Sequence, residues 1–195
     1  MVRERGERKK KEIMKAAAFL FREKGYTSTK MEDIGDAVGL LPPSLYRYFK
    51  SKEDLLRSVM VPSAEVGTEM IEEIAESAKS PTEKLREAFH VHLRLFDDYY
   101  PDMFVFAARN SDVLNASLSR HLQAIRIRYT EAWTTIIRSY IEDNPALSDL
   151  DPQIVCYAAL GMCNWMYKWY AKTGRLSSSE IADQYFRIFA QNLVQ

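Results

Sequence analysis

The chain has 195 residues, of which 47% are hydrophobic, 12% aromatic and 28% charged, and its formal net charge is zero. This composition excludes an intrinsically disordered chain, and only seven glycines and seven prolines argue against a turn-rich all-β fold. The net charge hides a split, because residues 1–57 carry fourteen Lys and Arg against nine Asp and Glu, whereas residues 58–195 carry thirteen against eighteen. The basic N-terminal third indicates either a module that faces a polyanion or a chance excess of charge on solvated helices.

The N-terminal third begins with two predicted helices. The first carries apolar residues at helical spacing from Ile13 to Phe21 and ends at Gly25, a residue typical of a left-handed C-cap. A short second helix is predicted to follow an N-cap at Thr29, with Glu32 three residues later completing a capping box.

A proline pair opens the third predicted helix. Pro42 and Pro43 are tolerated in a first helical turn, so this helix is expected to continue through the apolar residues up to Phe49. Ser51 is predicted to cap a fourth helix, which Pro62 should kink or interrupt.

Five more helices are predicted in the rest of the chain, at about residues 81–101, 104–109, 113–142, 152–173 and 178–193. Pro101 and Gly174 are expected to end two of them, and residues 177–179, three serines, are expected to cap the last. The sequence contains no alternating strand pattern, internal repeat or low-complexity tract. It therefore predicts an all-α fold of about nine helices.

The residues from Gly25 to Phe49 have the order of a helix-turn-helix, in which the second helix enters the DNA major groove. The string GLLPPSLYRYFKSKEDLL, from Gly39 to Leu56, closely resembles the signature of TetR-family transcriptional regulators, and GYTSTKMEDIGDAVG before it fits the same family. Gly35 departs from the family's alanine, and Leu41-Pro42-Pro43 replaces the usual polar cap. The resemblance implies a DNA-binding domain at residues 1–57 and a ligand-binding and dimerisation domain at residues 58–195.

The candidate DNA contacts are polar, cationic or proline residues of this segment: Thr29, Lys30, Pro42, Pro43, Ser44, Tyr46, Arg47, Tyr48 and Lys52. Arg47 and Lys52 offer cations to phosphates, and the hydroxyl residues offer neutral donors. Pro42 and Pro43 can contact only apolar features such as a thymine methyl group. The basic cluster at residues 8–11 either reaches the flanking phosphate backbone or is a solvated terminus.

An enzyme is excluded by what the sequence lacks. No GxSxG, HExxH, P-loop or dinucleotide-binding glycine motif is present. His90 and His92 diverge by about 200° on a helix and cannot share a metal ion, and His121 stands alone. We therefore expect no catalytic residue, no metal ligand and no cofactor.

The cell compartment follows from similar evidence. The longest uncharged run, residues 152–167, is shorter than the ~20 residues of a membrane span, and no secretory signal opens the chain. Cys156 and Cys163 lie two helical turns apart, ~10 Å, too far for a disulfide. We expect free core thiols, a cytoplasmic location and no contact with a membrane.

The body is rich in aromatic residues, which either fill a plain core or line an apolar cavity. In TetR-family proteins this region holds an effector pocket, and the resemblance extends to its C-terminal stretch. That stretch, LGMCNWMYKWYAKTGRLSSSEIADQYFRIFAQNL, resembles regulators of fatty-acid and sterol-ring catabolism, whose effectors are acyl-CoA thioesters. The candidate ligand residues are Phe96, Tyr100, Phe104, Phe106, Arg109, Arg126, Tyr129, Trp133, Met162, Trp165, Met166 and Trp169. Arg109 and Arg126, with Arg128, are the candidate cations for the phosphates of coenzyme A.

The resemblance also implies a homodimer formed through the last two helices, with Tyr185 and Phe189 on the presumed dimer face. Both helices carry apolar residues on more than one face, which fits a second helical partner. The sequence thus predicts a dimeric repressor that binds double-stranded operator DNA and is released by a hydrophobic effector, here a long-chain acyl-CoA. Two alternatives remain. One is a DNA-binding regulator with no small-molecule effector, and the other is a carrier of lipids or other hydrophobic ligands.

Overall fold

The computed structural model describes residues 2–107 and 116–192; for residues 2–3, 99–107, 167 and 191–192 it describes the backbone alone. The described residues form eight α-helices and no strand, so the all-α prediction is confirmed. The helices are α1 (Val2–Lys24), α2 (Met31–Ala37), α3 (Pro42–Tyr46), α4 (Lys52–Glu76), α5 (Pro81–Ala107), α6 (Ala116–Glu142), α7 (Pro152–Asn164) and α8 (Ser178–Asn192). Short 3-10 helices at Pro145–Leu147 and Trp165–Lys168 follow α6 and α7.

Local signals in the sequence fix several helix ends as predicted. Gly25 ends α1 with φ of 81°, a conformation that residues with a Cβ rarely adopt. Ser51 Oγ accepts a hydrogen bond from Asp54 N in the first turn of α4, and Ser177 and Glu180 form a capping box before α8.

The predicted N-cap of α2 is wrong by one residue. Lys30 occupies the N-cap, and its N–H donates to Asp33 Oδ2 at 2.7 Å, so the acidic partner is Asp33 and not Glu32. Thr29 is instead fully buried, and its hydroxyl donates to the carbonyl of Gly25 at 2.8 Å. Because the Thr29 hydroxyl is used inside the turn, it does not cap α2, and the helix begins one residue later than predicted.

Pro62 does not interrupt α4, and Pro101 does not end α5. α4 runs through Pro62 without interruption, and α5 continues past Pro101 to Ala107, through most of the predicted short helix at 104–109. A proline inside a helix removes one backbone N–H and disfavours the helix locally, but packing of the flanking residues can hold the helix together. In α4 those residues are Met60 and Ala64, which are 4% and 9% exposed.

The seventh helix is shorter than predicted. It ends at Asn164 and not near Thr173, because the chain tightens into the 3-10 helix at Trp165–Lys168. Tyr170 is buried beyond this turn and donates a hydrogen bond of 2.6 Å to Asp97 Oδ1 on α5. This long-range bond fixes the chain after α7, where Tyr170 is buried while Trp165 and Trp169 are exposed.

The chain divides into two compact units. The first contains the described residues within Met1–Ala64 and Pro101–Leu122, and the second contains those within Glu65–Tyr100 and Gln123–Gln195. In the first unit α1 contacts α2 and α2 contacts α3, around fully buried residues that include Ile13, Ile34 and Leu45. In the second unit the core is built on Phe89, Trp133 and other buried residues of α4 to α8. Among the described residues, no helix combines the length and apolar content that a membrane crossing requires.

Candidate nucleic-acid interface and ligand site

The turn between α2 and α3 is unusually tight. Leu40 N donates to the carbonyl of Gly35 at 2.8 Å, and Gly39 in the turn has φ of 66°. A Cβ on Gly35 would lie 2.5 Å from the carbonyl oxygen of Leu40, closer than such atoms can approach. The glycine that costs helix propensity in α2 is therefore required by the backbone that follows it.

Helix α3 presents one face to the core and the other to solvent. Leu45 is fully buried and Phe49, just after the helix, is 1% exposed. On the opposite side Leu41, Pro43, Tyr46 and Arg47 are exposed, with Leu41 at 77% and Tyr46 at 49%. Leu41 and Pro43 lie at the N-terminal end of α3, where a helix-turn-helix contacts base edges, whereas Tyr46 and Arg47 lie at its C-terminal end.

The first turn of α3 offers no free backbone donor. Pro42 and Pro43 have no N–H, and the N–H groups of Ser44 and Leu45 both donate to the carbonyl of Leu41, at 2.9 and 3.3 Å. Leu41 is the N-cap residue and makes no side-chain cap bond. The surface at this end of α3 is therefore mainly apolar.

The ammonium group of Lys52 is engaged inside the protein. It donates to the carbonyl oxygens of Tyr26 and Thr29, both at 2.8 Å, and to that of Thr27 at 3.4 Å. It also lies 4.4 Å from the centroid of the Tyr26 ring. Burial lowers the pKa of Lys52 from its usual value. These contacts join the start of α4 to the turn after α1.

The nine sequence-predicted DNA residues therefore fall into three groups. Pro43, Tyr46, Arg47 and Lys30 are exposed. Pro42, Ser44 and Tyr48 are half-buried. Thr29 and Lys52 bind backbone carbonyls of the turn, and sequence reasoning did not anticipate this role, since the partner atoms of Lys52 lie 23 to 26 residues away.

The basic cluster at residues 8–11 is part of α1. Lys9 Nζ donates to the carbonyl of Val38 at 2.8 Å, and Lys10 Nζ lies 5.6 Å from the centroid of the Phe49 ring. Arg8 and Lys11 are exposed. Two of the four cations thus pack on the helix-turn-helix, and two face solvent.

A polar group lies inside the second unit. His92 and Trp133 are 1% and 0% exposed, and His92 Nδ1 is 2.6 Å from the hydroxyl of Tyr129. Among the described residues, His92 Nε2 and Trp133 Nε1 are the buried side-chain atoms without a hydrogen-bond partner. Such groups are costly in an apolar core unless another polar atom binds them. Sequence reasoning did not select His92.

Burial determines the protonation of this group. It lowers the pKa of His92 to about 4. It also raises the pKa of Tyr129 well above its usual value. At neutral pH both side chains are uncharged and can bind the oxygen or hydroxyl group of a neutral ligand.

Only some of the sequence-predicted ligand residues are buried in the second unit. Phe96, Trp133 and Met166 are buried, and Tyr129 and Met162 are half-buried. Trp165 and Trp169 lie on the surface, 60% and 50% exposed, because the 3-10 turn directs them outward, so they do not line the interior. Arg126 is exposed. Arg109 and the side chains of Tyr100, Phe104 and Phe106 lie outside the described residues.

Arg128 is engaged with acidic partners. Its guanidinium forms bonds of 2.9 and 2.7 Å with the two carboxylate oxygens of Glu72 and one of 2.9 Å with Glu65, both on α4. These carboxylates raise its pKa further. Arg128 is therefore a link between α4 and α6, and its charge is already balanced.

Helix α7 is apolar on two sides. Val155, Cys156, Ala159 and Cys163 are buried in the core of the second unit, so the cysteines are free, buried thiols. On the other side Ile154 and Tyr157 are 66% and 54% exposed, followed by Gly161, where an added Cβ would meet no atom within 4 Å, and by Trp165. Ile188 on α8 is 53% exposed. Exposed apolar residues grouped at helical spacing are typical of an interface.

Two sequence models of known families match the chain. Residues 13–59 match the model described as bacterial regulatory proteins, tetR family. Residues 78–193 match the model described as tetracyclin repressor-like, C-terminal domain. Together the two matches include both the helix-turn-helix and the body.

Individual proteins are similar over nearly the whole chain. The HTH-type transcriptional repressor KstR2 of Mycolicibacterium smegmatis is 25% identical over 185 residues, which are 94% of this chain and 90% of that protein. The crystal structure of the TetR family regulator PfmR from Thermus thermophilus has 30% identity and a TM-score of 0.81, covering 92% of this chain and 97% of that one. AibR in complex with isovaleryl coenzyme A and operator DNA has a TM-score of 0.78 at 23% identity, covering 92% and 97% of the two chains.

Proposed function

This chain belongs to the TetR family of bacterial regulatory proteins, and from that premise we propose that it is a dimeric repressor released from its operator by a coenzyme A thioester. The relatives are transcriptional regulators, which confirms the expectation that the chain is not an enzyme. The proposal includes residues 1–57 as the DNA-binding domain, residues 58–195 as the effector and dimerisation domain, and a cytoplasmic location.

The observation that carries the DNA-binding proposal is the outward face of α3. Tyr46 and Arg47 are exposed beside Pro43, while Leu45 and Phe49 anchor the helix from the inside. Arg47 would neutralise a phosphate, and Tyr46 would donate its hydroxyl to one. Ser44, Tyr48, Lys30 and Pro42 complete the proposed surface, and Thr29 and Lys52 would support it from behind.

The effector proposal is supported by the polar group inside the second unit. His92, Tyr129 and Trp133 place neutral polar atoms among apolar side chains, an arrangement suited to a ligand that is apolar except for a carbonyl or hydroxyl oxygen. A long-chain acyl thioester has this chemistry. The isovaleryl coenzyme A in the AibR complex and the likeness to KstR2 support the same class.

The phosphates of coenzyme A would need cations. Since Arg128 is paired with Glu65 and Glu72, Arg126 and Arg109 remain the candidates. Ligand binding would favour a spacing of the two DNA-binding domains that no longer matches successive major grooves.

The dimer would form through the apolar faces of α7 and α8. Ile154, Tyr157 and Trp165 would pack against the partner together with Ile188, and Gly161 would allow a close approach of the two backbones.

One experiment tests the whole proposal. Duplexes selected from a randomised pool by the full chain are labelled, and DNA release is followed by fluorescence anisotropy during titration with palmitoyl-CoA, isovaleryl-CoA, free coenzyme A or palmitate. We expect release by palmitoyl-CoA at micromolar or lower concentration, and none by free coenzyme A. DNA binding that no thioester disturbs would favour a regulator without an effector, and thioester binding without selection of any duplex would favour a carrier.

Tryptophan fluorescence can test where the effector binds. Palmitoyl-CoA should change the fluorescence of wild type, and Trp133→Phe should lose that change, because Trp133 lies beside His92 with ring centroids 6.0 Å apart. Trp169→Phe is the matched control, since its side chain is half exposed on the surface. A signal that depends on Trp169 and not on Trp133 would move the proposed site out of the interior.

A further inference from the structure

The first turn of α3 is chemically unusual for a surface that reads DNA. Base edges are read mostly by side chains or N–H groups that form hydrogen bonds in the major groove. Here Pro42 and Pro43 have no N–H, and the N–H groups of Ser44 and Leu45 already donate hydrogen bonds to the carbonyl of Leu41. The leading end of the helix can therefore contact a base chiefly through apolar surface.

Leu41 provides most of that surface. It is 77% exposed, the highest value among the exposed large hydrophobic residues of the described chain, and it is held at the N-cap with φ of −66° and ψ of 147°. Covering this leucine with another apolar group would be favourable, because it would remove apolar surface from water. In the major groove the one apolar group on a base edge is the 5-methyl group of thymine.

The surroundings favour DNA as the partner. Arg47 and Lys50, both exposed, lie on the same short segment, whereas no acidic residue occurs between Asp36 and Glu53. The segment thus combines an apolar tip with positive charge, which fits a thymine flanked by phosphates better than an apolar protein surface.

Resting on the proposed DNA-binding function, we infer that Leu41 determines operator specificity by packing against a thymine methyl group in each half-site. The contact requires no hydrogen bond, and it recognises the 5-methyl group that thymine carries and that cytosine and uracil lack. The side chain that replaces a polar cap in this chain thereby takes over part of the sequence readout.

The test removes only that carbon. Duplexes selected by the wild-type chain from a randomised pool are resynthesised with deoxyuridine in place of each thymine in turn, and affinities are measured at fixed salt. We expect one position in each half-site to be sensitive, with a loss of about fourfold for each methyl group removed. Leu41→Ala should bind the thymine duplex more weakly and should not distinguish it from the deoxyuridine duplex at that position.

Three further variants keep the outcome clear. Leu41→Met retains an apolar side chain and should retain the discrimination. Phe19→Ala removes a 50% exposed apolar side chain from α1 and should discriminate as wild type does. Pro43→Ala tests the neighbouring apolar surface, and loss of discrimination in this variant but not in Leu41→Ala would overturn the assignment to Leu41.

The proposed function and the role of Leu41 fail in different ways. Selection of no duplex by the wild-type chain would refute the DNA-binding function and the inference with it. Tight binding to a selected duplex with every deoxyuridine tolerated would refute the inference alone.

Discussion

His92 shows how a single buried residue couples this fold to pH. Its ring is fully inside the second unit, and its Nδ1 atom shares a short hydrogen bond with the hydroxyl of Tyr129. No carboxylate is among the causes of its pKa shift, so burial dominates and the neutral ring is favoured. The folded protein therefore resists protonation of His92, whereas the unfolded chain does not.

The sign of the effect follows from the two pKa values, about 4 in the folded protein and 6.5 in the unfolded chain. The stabilisation is complete above pH 6.5 and is lost as pH falls toward 4, because only the unfolded chain binds the proton in that range. We expect the free energy of unfolding to fall by about 2 kcal/mol between pH 7 and pH 5 on account of this residue. Urea denaturation at several pH values measures it.

The control is a second histidine on the same helix. His92→Gln should be less stable at pH 7 but should show a shallower pH dependence than wild type. His90→Gln should keep a slope closer to that of wild type, because the His90 side chain on α5 is 30% exposed and is not enclosed in the core. Equal slopes in all three proteins would show that the ring of His92 is hydrated in solution.

At the scale of an element, the start of α4 holds the DNA-binding helices in place. Lys52 binds the carbonyls of the turn after α1, and Asp54 accepts a hydrogen bond of 2.9 Å from Lys50 N in the turn after α3. The first turn of α4 thus fastens both turns that flank the helix-turn-helix. Arg47, in contrast, is exposed on α3's outer side.

These two cations are therefore expected to act differently. Lys52→Ala should lower the free energy of unfolding by about 1–2 kcal/mol, since carbonyls of the turn lose a charged donor, and should weaken DNA binding without changing its salt dependence. Arg47→Ala should leave stability unchanged and reduce the slope of log K against log salt by about 1 for each phosphate that it no longer neutralises. Thermal unfolding and anisotropy at several salt concentrations measure both.

The opposite result has a definite meaning. If Lys52→Ala reduces the salt slope as Arg47→Ala does and leaves the melting temperature unchanged, then Lys52 exchanges its carbonyl partners for a phosphate when DNA binds.

The elements also show which features a sequence can predict. Ser51, Ser177 and Gly25 act on neighbouring backbone, so their patterns located helix ends correctly. The role of Lys52 depends on atoms more than twenty residues away, and no local pattern contains that information. The candidate site was therefore predictable as a segment, but the division between exposed contacts and internal supports was not.

The difference between local patterns and long-range contacts also explains why Trp165 and Trp169 were expected inside the protein but lie on its surface. Helical periodicity continued past Asn164 predicts that Trp165 and Trp169 face inward, but a tighter turn rotates them to the surface. The turn is held by Tyr170, whose partner Asp97 belongs to another helix. A tertiary contact thus overrides the periodic pattern.

At the scale of the whole molecule, the second apolar face of α7 has to be covered. Phe189 and Tyr185 on α8, which the sequence suggested as dimer contacts, are half-buried and pack against the core of their own unit, with Phe189 5.5 Å from Phe89 between ring centroids. A charge there would destabilise the fold itself. Ile154 and Ile188 are better probes, because they are 66% and 53% exposed in the single chain.

We expect Ile154→Glu and Ile188→Glu to fold but to remain monomeric, because a glutamate in an apolar interface loses its hydration without gaining a partner. Ile127→Glu is the matched control: Ile127 is 48% exposed on α6, a helix that is not part of the proposed interface, so this variant should dimerise as wild type does. Sedimentation at micromolar concentration distinguishes 22.6 kDa from twice that mass.

The monomeric variants should also lose most of their affinity for a palindromic duplex, because each domain then binds one half-site without the other. Dimers of unchanged stability in both α7 and α8 variants would show that another face of the molecule joins the subunits.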